Sequence, residues 1–517
     1  MMIKSKFNFN DLFVLDLANN HQGSLAHGSM IIDNCAKVIK KNKIRAGIKF
    51  QFRDIPAFIH KDDQKDTNNK HVPRFISTKL EWNDYKILQK QAKQHGLLTI
   101  CTPFDDKSVE RIVDMDFDII KIASCSAHDW PLLEEVSKTM KPIIISTGGL
   151  TISEIDDVVS FLDHRGCHFA IMHCVSIYPT PDIKCNLRNI SDFIERYPNK
   201  TIGWSTHESP EDDIHVGLAR ALGAKMFERH VGMNTDNIKL NAYSSTPEDL
   251  DKWMLAYNRV GDILGKNERQ ASSELEEKSI QELQRGVFAL KDIKAGTKLT
   301  RDMVYFAFPI REGQLSSGRW AEEIVVNKDI KKDDVLLKDK ISIPDRPKDY
   351  LIKKAIHQVK AMLSYARIPL SHEFNTEYSH HYGVDNFFKV GVTMITIINR
   401  AYAKKILIQL PDQEHPSHYH KQKEETFIVQ WGELLSVLDD KEILLKPGDT
   451  LTVPPGVWHS FSSIKGCIFE EISTTAFPND SVYKDNRINK MTSENRKTSV
   501  DHWGRFQIKN QIINMDI

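Results

Sequence analysis

From residue 13 to residue 231, short apolar runs alternate with longer stretches in which apolar and polar residues recur at helical spacing. The runs are FVLDLA (13–18), AGIKFQF (46–52), LLTICTP (97–103), IIKIAS (119–124), PIIISTG (142–148), FAIMHC (169–174), TIGWST (201–206) and KMFERHV (225–231). Each has the length of a strand and falls short of a helix. The stretches between them carry helix signals. WNDYKILQKQAKQHG closes on Gly96 as a C-cap, and TISEIDDVVSFL opens on a capping Thr151 or Ser153. Eight strand–helix units in succession predict an α/β fold, a (β/α)8 TIM barrel of parallel strands, over residues 1–280. A doubly wound open sheet is the competing arrangement. It would usually bring a glycine-rich phosphate loop, and no GxGxxG follows the first run.

At 517 residues the chain exceeds one ordinary core, which predicts about three domains. Its 70 Lys and Arg balance its 70 Asp and Glu, and no basic stripe stands out, which argues against nucleic acid as a partner. No apolar run approaches the roughly 18 residues that span a bilayer, so no membrane is expected. MMIKSKFNFNDLF lacks the apolar core and small-residue cleavage site of a signal peptide. Seven cysteines are scattered without a CxxC pair, several inside apolar runs, as reduced buried thiols are. A cytoplasmic location follows as the expectation.

A parallel barrel keeps its chemistry at the C-terminal strand ends. Alternation turns Asp16, Lys49, Gln51 and Lys121 inward there, while Leu15, Leu17, Ile48, Phe50, Phe52, Ile120 and Ile122 face the helices. Ser205 and His207 share one side of the seventh run, and Glu228 and His230 one side of the eighth, with Trp204 and Phe227 turned to packing. Histidines at neighbouring strand ends can share a metal, and with carboxylates they suit Mn2+, Mg2+ or Zn2+. Lysine is almost never buried without a partner, so Lys49 and Lys121 point to a bound polyanion. An interior ion pair such as Lys49 with Asp16 is the alternative. Two lysines with the hydroxyls of Thr102, Ser124, Ser146 and Ser205 suit a phosphate and a carboxylate.

LANNHQGSL (17–25), GIKFQF, CTPF (101–104), KIAS (121–124), ISTGG (145–149), MHCVSIYPTP (172–181), GWSTHE and ERHVG occur in this order. Together they resemble the sialic acid synthase family, barrel enzymes that condense phosphoenolpyruvate with a sugar aldehyde. The resemblance implies that Lys49, Thr102, Lys121, Ser124, Ser146 and Ser205 hold phosphoenolpyruvate. His207 and His230 would bind a divalent metal, Mn2+ or Mg2+. Asp16, Gln51, Tyr178 and Glu228 would position or activate the sugar and the attacking water. Three positions depart from the family. Asp16 stands where Glu is usual, Ser126 where an acid follows the fourth strand, and Leu240 where an acid lies after the eighth, with Asp236 nearby. All three concern the sugar side.

RGVFALKDIKAGTKLTRDMVYFAFP (285–309) and DIKKDDVLLKDKI (329–341) resemble the small antifreeze-like (SAF) domain that follows the barrel in these synthases, here 281–345. Gly296 makes a turn between short strands, and NKDIKKDDVL repeats that turn with Asp in place of Gly. In the family this domain caps the partner subunit's site, which implies a domain-exchanged homodimer. Phe308 stands where an arginine usually meets the N-acetyl group, with Arg311 close by, and this argues against an ordinary N-acetylmannosamine acceptor.

PDRPKDY (344–350) reads as a linker. The helical stretch 351–366 then leads into strand-like segments, giving an all-β domain over 346–485 and a polar tail over 486–517. HPSHYHKQKEETFIVQWGE supplies His418, His420, Glu425 and Gly432, and KPGDTLTVPPGVWHS supplies Gly448, Pro454, Gly456 and His459. This spacing matches both cupin motifs, and three His with one Glu form a competent site for a second divalent metal, Mn2+, Fe2+ or Zn2+. The context resembles sugar-isomerising cupins of the D-lyxose isomerase type, which implies Glu470 or Glu471 as the base. The expectation is a synthase whose cupin isomerises a ketose to the aldose that the barrel condenses. A non-catalytic sugar-binding or dimerising cupin is the alternative. An aldolase acting through a Lys121 Schiff base would conflict with the two histidines.

Overall fold

The computed structural model describes residues 7–501 and 507–508, apart from 66–67, 267–268, 344–347 and 372–373. Most of the expected linker lies outside the described residues. The chain divides into two compact units, Met1–Ala271 and Ser272–Ile517.

The first unit contains β1 (Leu12–Asp16), β2 (Arg45–Phe52), β3 (Leu98–Pro103), β4 (Ile119–Ile122), β5 (Ile143–Ser146), β6 (Phe169–Cys174), β7 (Ile202–Thr206) and β8 (Met226–His230). They form a closed barrel in sequence order, and β8 pairs in parallel with β1 from Leu12↔Met226 to Asp16↔His230. That closure excludes the open doubly wound sheet. The outward residues Leu15, Ile48, Phe50, Phe52, Ile120, Trp204 and Phe227 pack with the helices in one large core. Inside, Leu12, Val14, Ile100, Ile119, Ile144, Ala170, Met172 and Met226 fill the lower layers. Burying a side chain of this size is worth about 1.5–3 kcal/mol, so the apolar floor sets the register that turns the next inward residues toward the mouth.

The helices start and stop where side chains satisfy their free ends. Thr151 accepts from the Glu154 N–H while Glu154 reaches back, a capping box that selects Thr151 over Ser153 as the start. The helix Trp82–Gln94 ends just before Gly96, whose φ of +76° is left-handed, as an αL terminator requires.

In the second unit, Gly286–Ala289 pairs antiparallel with Val304–Ala307, and Val325–Val326 with Ile341–Ser342. Val287, Leu299, Val304, Leu315 and Leu336 make their core. Gly296 (φ +84°) and Asp333 (φ +67°) occupy the two repeated turns. After the helix Lys348–Tyr365 come an eight-stranded and a five-stranded sheet, which share a core including Phe427, Phe461 and Phe469. The expected polar tail includes regular structure. Lys497–Asp501 is a strand paired with Thr376–Ser379, and Val500 is fully buried. Its neighbours Lys497, Thr498 and Ser499 are only partly buried, so their polarity masks the strand.

Candidate active site

Above the apolar floor the inward positions of the barrel turn polar and open into a cavity of about 1120 Å3. Lys49 Nζ lies 2.9 Å from Asp16 Oδ2 and 3.0 Å from Glu228 Oε1. Lys121 Nζ donates to Ser146 Oγ at 2.6 Å and lies 3.3 Å from the same Glu228 oxygen, which also accepts from Ser205 Oγ at 2.9 Å. All of these groups are buried. Burial works against the charge on Glu228, but Lys121 and Lys49 outweigh it and hold the carboxyl well below its ordinary range. Burial likewise opposes the Lys49 ammonium, and Asp16 and Glu228 raise it above an ordinary lysine. For Lys121 burial prevails over Glu228, and its pKa is lowered. The ion pair of Lys49 with Asp16, the alternative to a bound polyanion, is therefore present, and Glu228 is the hub on which both lysines converge.

His207 and His230 stand at the rim with ring centroids 5.3 Å apart. His207 Nδ1 lies 2.9 Å from the Val175 carbonyl, and the ring also hydrogen-bonds the Cys174 side chain. His230 Nε2 lies 3.4 Å from Asp16 Oδ2, and burial pushes this imidazole down to about 4, so it is neutral at physiological pH. Burial opposes charge on His207, but its hydrogen bond with Cys174 outweighs burial and raises this imidazole. Two imidazoles beside a carboxylate fit an octahedral divalent ion that keeps open positions. Glu208, the residue after His207, takes no part. It forms a buried pair with Arg229 at 3.2 Å on the helix side.

Ser124 lines the cavity and accepts from the Gly148 N–H at 3.0 Å. Gln51 donates to Asp16 Oδ2 at 3.2 Å. Tyr178, 50% exposed, packs against His207 with ring centroids 4.2 Å apart and planes tilted by 48°. Thr102 is inward on β3 with its hydroxyl buried and unpartnered, but it does not line the cavity. The three departures are resolved locally. Asp16 reaches Lys49 despite its shorter side chain. Ser126 is buried, and Cys125 faces the cavity beside it. Leu240 packs over Gly232, where a Cβ would come within 2.4 Å of it. Tyr243 is the residue of that loop which meets the rim, 5.2 Å from His230 and 5.1 Å from Tyr178. Arg53, Cys125 and Tyr243 are cavity residues that the sequence reading passed over.

The cupin cavity, about 390 Å3, is built the same way. His418, His420, Glu425 and His459 are buried and present ligand atoms all within 4.8 Å of one another. His418 Nδ1 lies 3.1 Å from the Pro416 carbonyl and His459 Nδ1 3.0 Å from that of Val457, so each Nε2 faces inward. His420 Nδ1 lies 3.3 Å from Asp480 Oδ2. Three oriented imidazoles and one carboxylate fit a divalent transition metal. Lys423, which the motif reading also passed over, bridges Glu425 at 2.5 Å and Glu471 at 2.9 Å. Glu471 lines the cavity, whereas Glu470 pairs with Lys404 outside it.

Buried neutral histidines make the barrel acid-sensitive. Burial pushes His21 and His230 each down to about 4, against 6.5 in the unfolded chain. Between these values the unfolded state binds more protons, so stability is lost as pH falls from 6.5 to 4, on the order of 3 kcal/mol per histidine. Urea unfolding in EDTA at pH 7, 5.5 and 4.5 should show a falling midpoint, and a flat profile would contradict it.

A closed parallel barrel with two buried lysines under a histidine pair is thus joined in one chain to an all-β domain with a buried His3Glu cluster. A model described as the NeuB family matches residues 38–269, and one described as a cupin domain matches 406–466. The chain is 31% identical over 320 residues to an uncharacterised protein of Methanocaldococcus jannaschii, covering 61% of this chain and 88% of that protein. It is 26% identical over 298 residues to the N-acetylneuraminate-9-phosphate synthase of Mus musculus, covering 56% and 81%. A crystal structure assigned to a spore coat polysaccharide biosynthesis protein E of Chromobacterium violaceum shares 40% identity with a TM-score of 0.63, covering 64% of this chain and all of that one. The chain belongs to the NeuB family. Among the described residues no helix is long and apolar enough to cross a membrane.

Proposed function

We propose that the barrel condenses phosphoenolpyruvate with a sugar aldehyde, giving a sialic-acid-like 2-keto-3-deoxy sugar acid and phosphate. The observation that carries this reading is the convergence of Lys49 and Lys121, with Ser146 and Ser205, on one buried point beneath His207 and His230. A compact dianion carrying phosphate and carboxylate fits that arrangement, with the lysines exchanging Glu228 for the ligand. A divalent ion held by His207 and His230, Mn2+ or Mg2+ by its donor set, would polarise the aldehyde as a Lewis acid.

The methylene carbon of phosphoenolpyruvate adds to the aldehyde carbon, and the carbonyl oxygen becomes a hydroxyl by taking a proton. The phosphate-bearing carbon becomes electron-poor, and water adds there, giving a proton to Asp16 or Glu228. Phosphate then leaves with the bridging oxygen, and Lys49 and Lys121 stabilise the departing charge by preorganised electrostatics. Tyr178 and Tyr243 flank the acceptor end. Their aromatic faces, with Ser126, Leu240 and Phe308 in place of polar family residues, favour an acceptor other than N-acetylmannosamine. Phe308 is 60% exposed in its own chain, which suits a lid face reserved for a second subunit in a domain-exchanged dimer.

In the cupin, the same reading assigns aldose–ketose isomerisation to Glu471 beside a metal at His418, His420, Glu425 and His459. Phosphate release from phosphoenolpyruvate, assayed across a panel of sugar aldehydes, is expected with at least one acceptor and should vanish in EDTA. No release with any aldose would sink the synthase reading.

A further inference from the structure

Inward alternation along β2 does not stop at Gln51, because Arg53 continues the same face one step past the strand end. Its guanidinium lies 3.7 Å from the ring centroid of Phe104 and 4.0 Å from that of Phe75, with Phe58 at 5.7 Å. It donates to Gln51 Oε1 at 3.1 Å, and Gln51 donates in turn to Asp16, so Arg53 ends a polar chain that begins at Lys49 and His230. Its Nε is buried without a partner. Lys70 and Arg74 line the same wall. Among the described residues none of these three cations has a carboxylate partner, and the wall's one acid, Asp63, lies 4.0 Å from His60. Asp16 and Glu228 are already engaged deeper in. Among the described residues the outer end of the cavity is therefore net positive, with a planar guanidinium clamped between aromatic rings and one arm of its fork on Gln51. A sheltered cation without a counter-ion is costly, and an anion from outside removes that cost.

We propose that this wall is a subsite for an oxyanion, a phosphate monoester or a carboxylate, on the end of the acceptor sugar remote from its aldehyde. This rests on the synthase reading, in which phosphoenolpyruvate occupies Lys49 and Lys121 and leaves the outer cations to the acceptor. Arg53 grips the oxyanion through the rest of its fork, and Arg74 and Lys70 add positive charge around it. Burial lowers Arg53 to about 10, which still leaves it charged at neutral pH.

Unreactive probes separate this inference from catalysis. Glucitol and mannitol, their terminal phosphates and the matching aldonates would be titrated calorimetrically into the full-length protein saturated with phosphoenolpyruvate. At least one anionic series should bind about tenfold or more tighter than the neutral alditols, as a charge-assisted fork contact allows. Which series binds better tells phosphate from carboxylate. Arg53→Ala should reduce that preference to less than about threefold while leaving alditol and phosphoenolpyruvate affinities within about twofold. Arg53→Gln and Arg74→Ala carry the comparison if Arg53→Ala does not fold. Equal binding of neutral and anionic probes, or a preference that survives all of these variants, overturns the proposal. Absence of phosphoenolpyruvate binding would sink the synthase reading instead, and the anionic-to-neutral ratio would still judge the subsite.

Discussion

Glu228→Gln is expected to destabilise the barrel by about 3–5 kcal/mol, the usual cost of stripping a buried ion pair of one partner, and to make its stability depend on phosphoenolpyruvate. The substitution keeps the shape and an acceptor oxygen but removes the charge on which both lysines converge. Lys49 would retain the Asp16 carboxylate at 2.9 Å, whereas Lys121 would keep only neutral acceptors, among them the Ser146 hydroxyl at 2.6 Å. A dianionic ligand would replace the lost carboxylate. Phosphoenolpyruvate at 100 times its dissociation constant stabilises any binder by about 2.7 kcal/mol. The variant should gain more than the native chain at equal ligand concentration, because its lysines need not first release Glu228. Urea unfolding of the barrel with and without phosphoenolpyruvate checks both points. A variant as stable as the native chain, or equal stabilisation of the two proteins, would contradict the role given to Glu228.

Glu471→Gln should lower metal-dependent isomerisation by about 10^2- to 10^4-fold, the range lost with a general base, with metal content unchanged. Burial alone would protonate this carboxyl. Lys405 at 3.2 Å and Lys423 at 2.9 Å outweigh burial and lower its pKa, so it stays ionised beside the His/Glu cluster. Glu470→Gln should retain activity, because that side chain pairs with Lys404 at 3.0 Å and does not line the cavity. The measurement is solvent deuterium incorporation into a panel of aldoses and ketoses by the Mn2+-loaded full-length protein. No exchange by the native chain would remove the isomerase reading and leave the cupin a binding module. Loss in Glu470→Gln with retention in Glu471→Gln would reverse the assignment.

Much of the barrel was legible because a parallel strand buried on both faces must be apolar on the outside and carries its chemistry inward at every second position. That rule placed Asp16, Lys49, Gln51, Lys121, Glu228 and His230 correctly, and it separated Glu228 from Arg229 within one motif. It missed Arg53 only because the apolar run ends at Phe52, although the alternation 49, 51, 53 continues. Cys125 and Tyr243 lie in loops, where no period applies. The hub at Glu228 required three-dimensional geometry, since β2, β4 and β8 meet only after closure. In the cupin, metal-ligand spacing picked out the four residues that cluster, His418, His420, Glu425 and His459, while Lys423 lay inside the motif without matching a ligand position. The strand at Lys497–Asp501 hid because one buried Val500 among polar neighbours leaves too weak a period to read.

The central claim is that phosphoenolpyruvate reacts at carbon, with phosphate lost by carbon–oxygen cleavage. The most direct test is turnover of phosphoenolpyruvate labelled with 18O at the bridging oxygen, using whichever acceptor supports phosphate release, followed by mass analysis of both products. The account predicts the label in inorganic phosphate and unlabelled water oxygen in the new keto group. Label retained in the sugar acid would mean attack at phosphorus and would contradict the mechanism built on Lys49, Lys121 and Glu228.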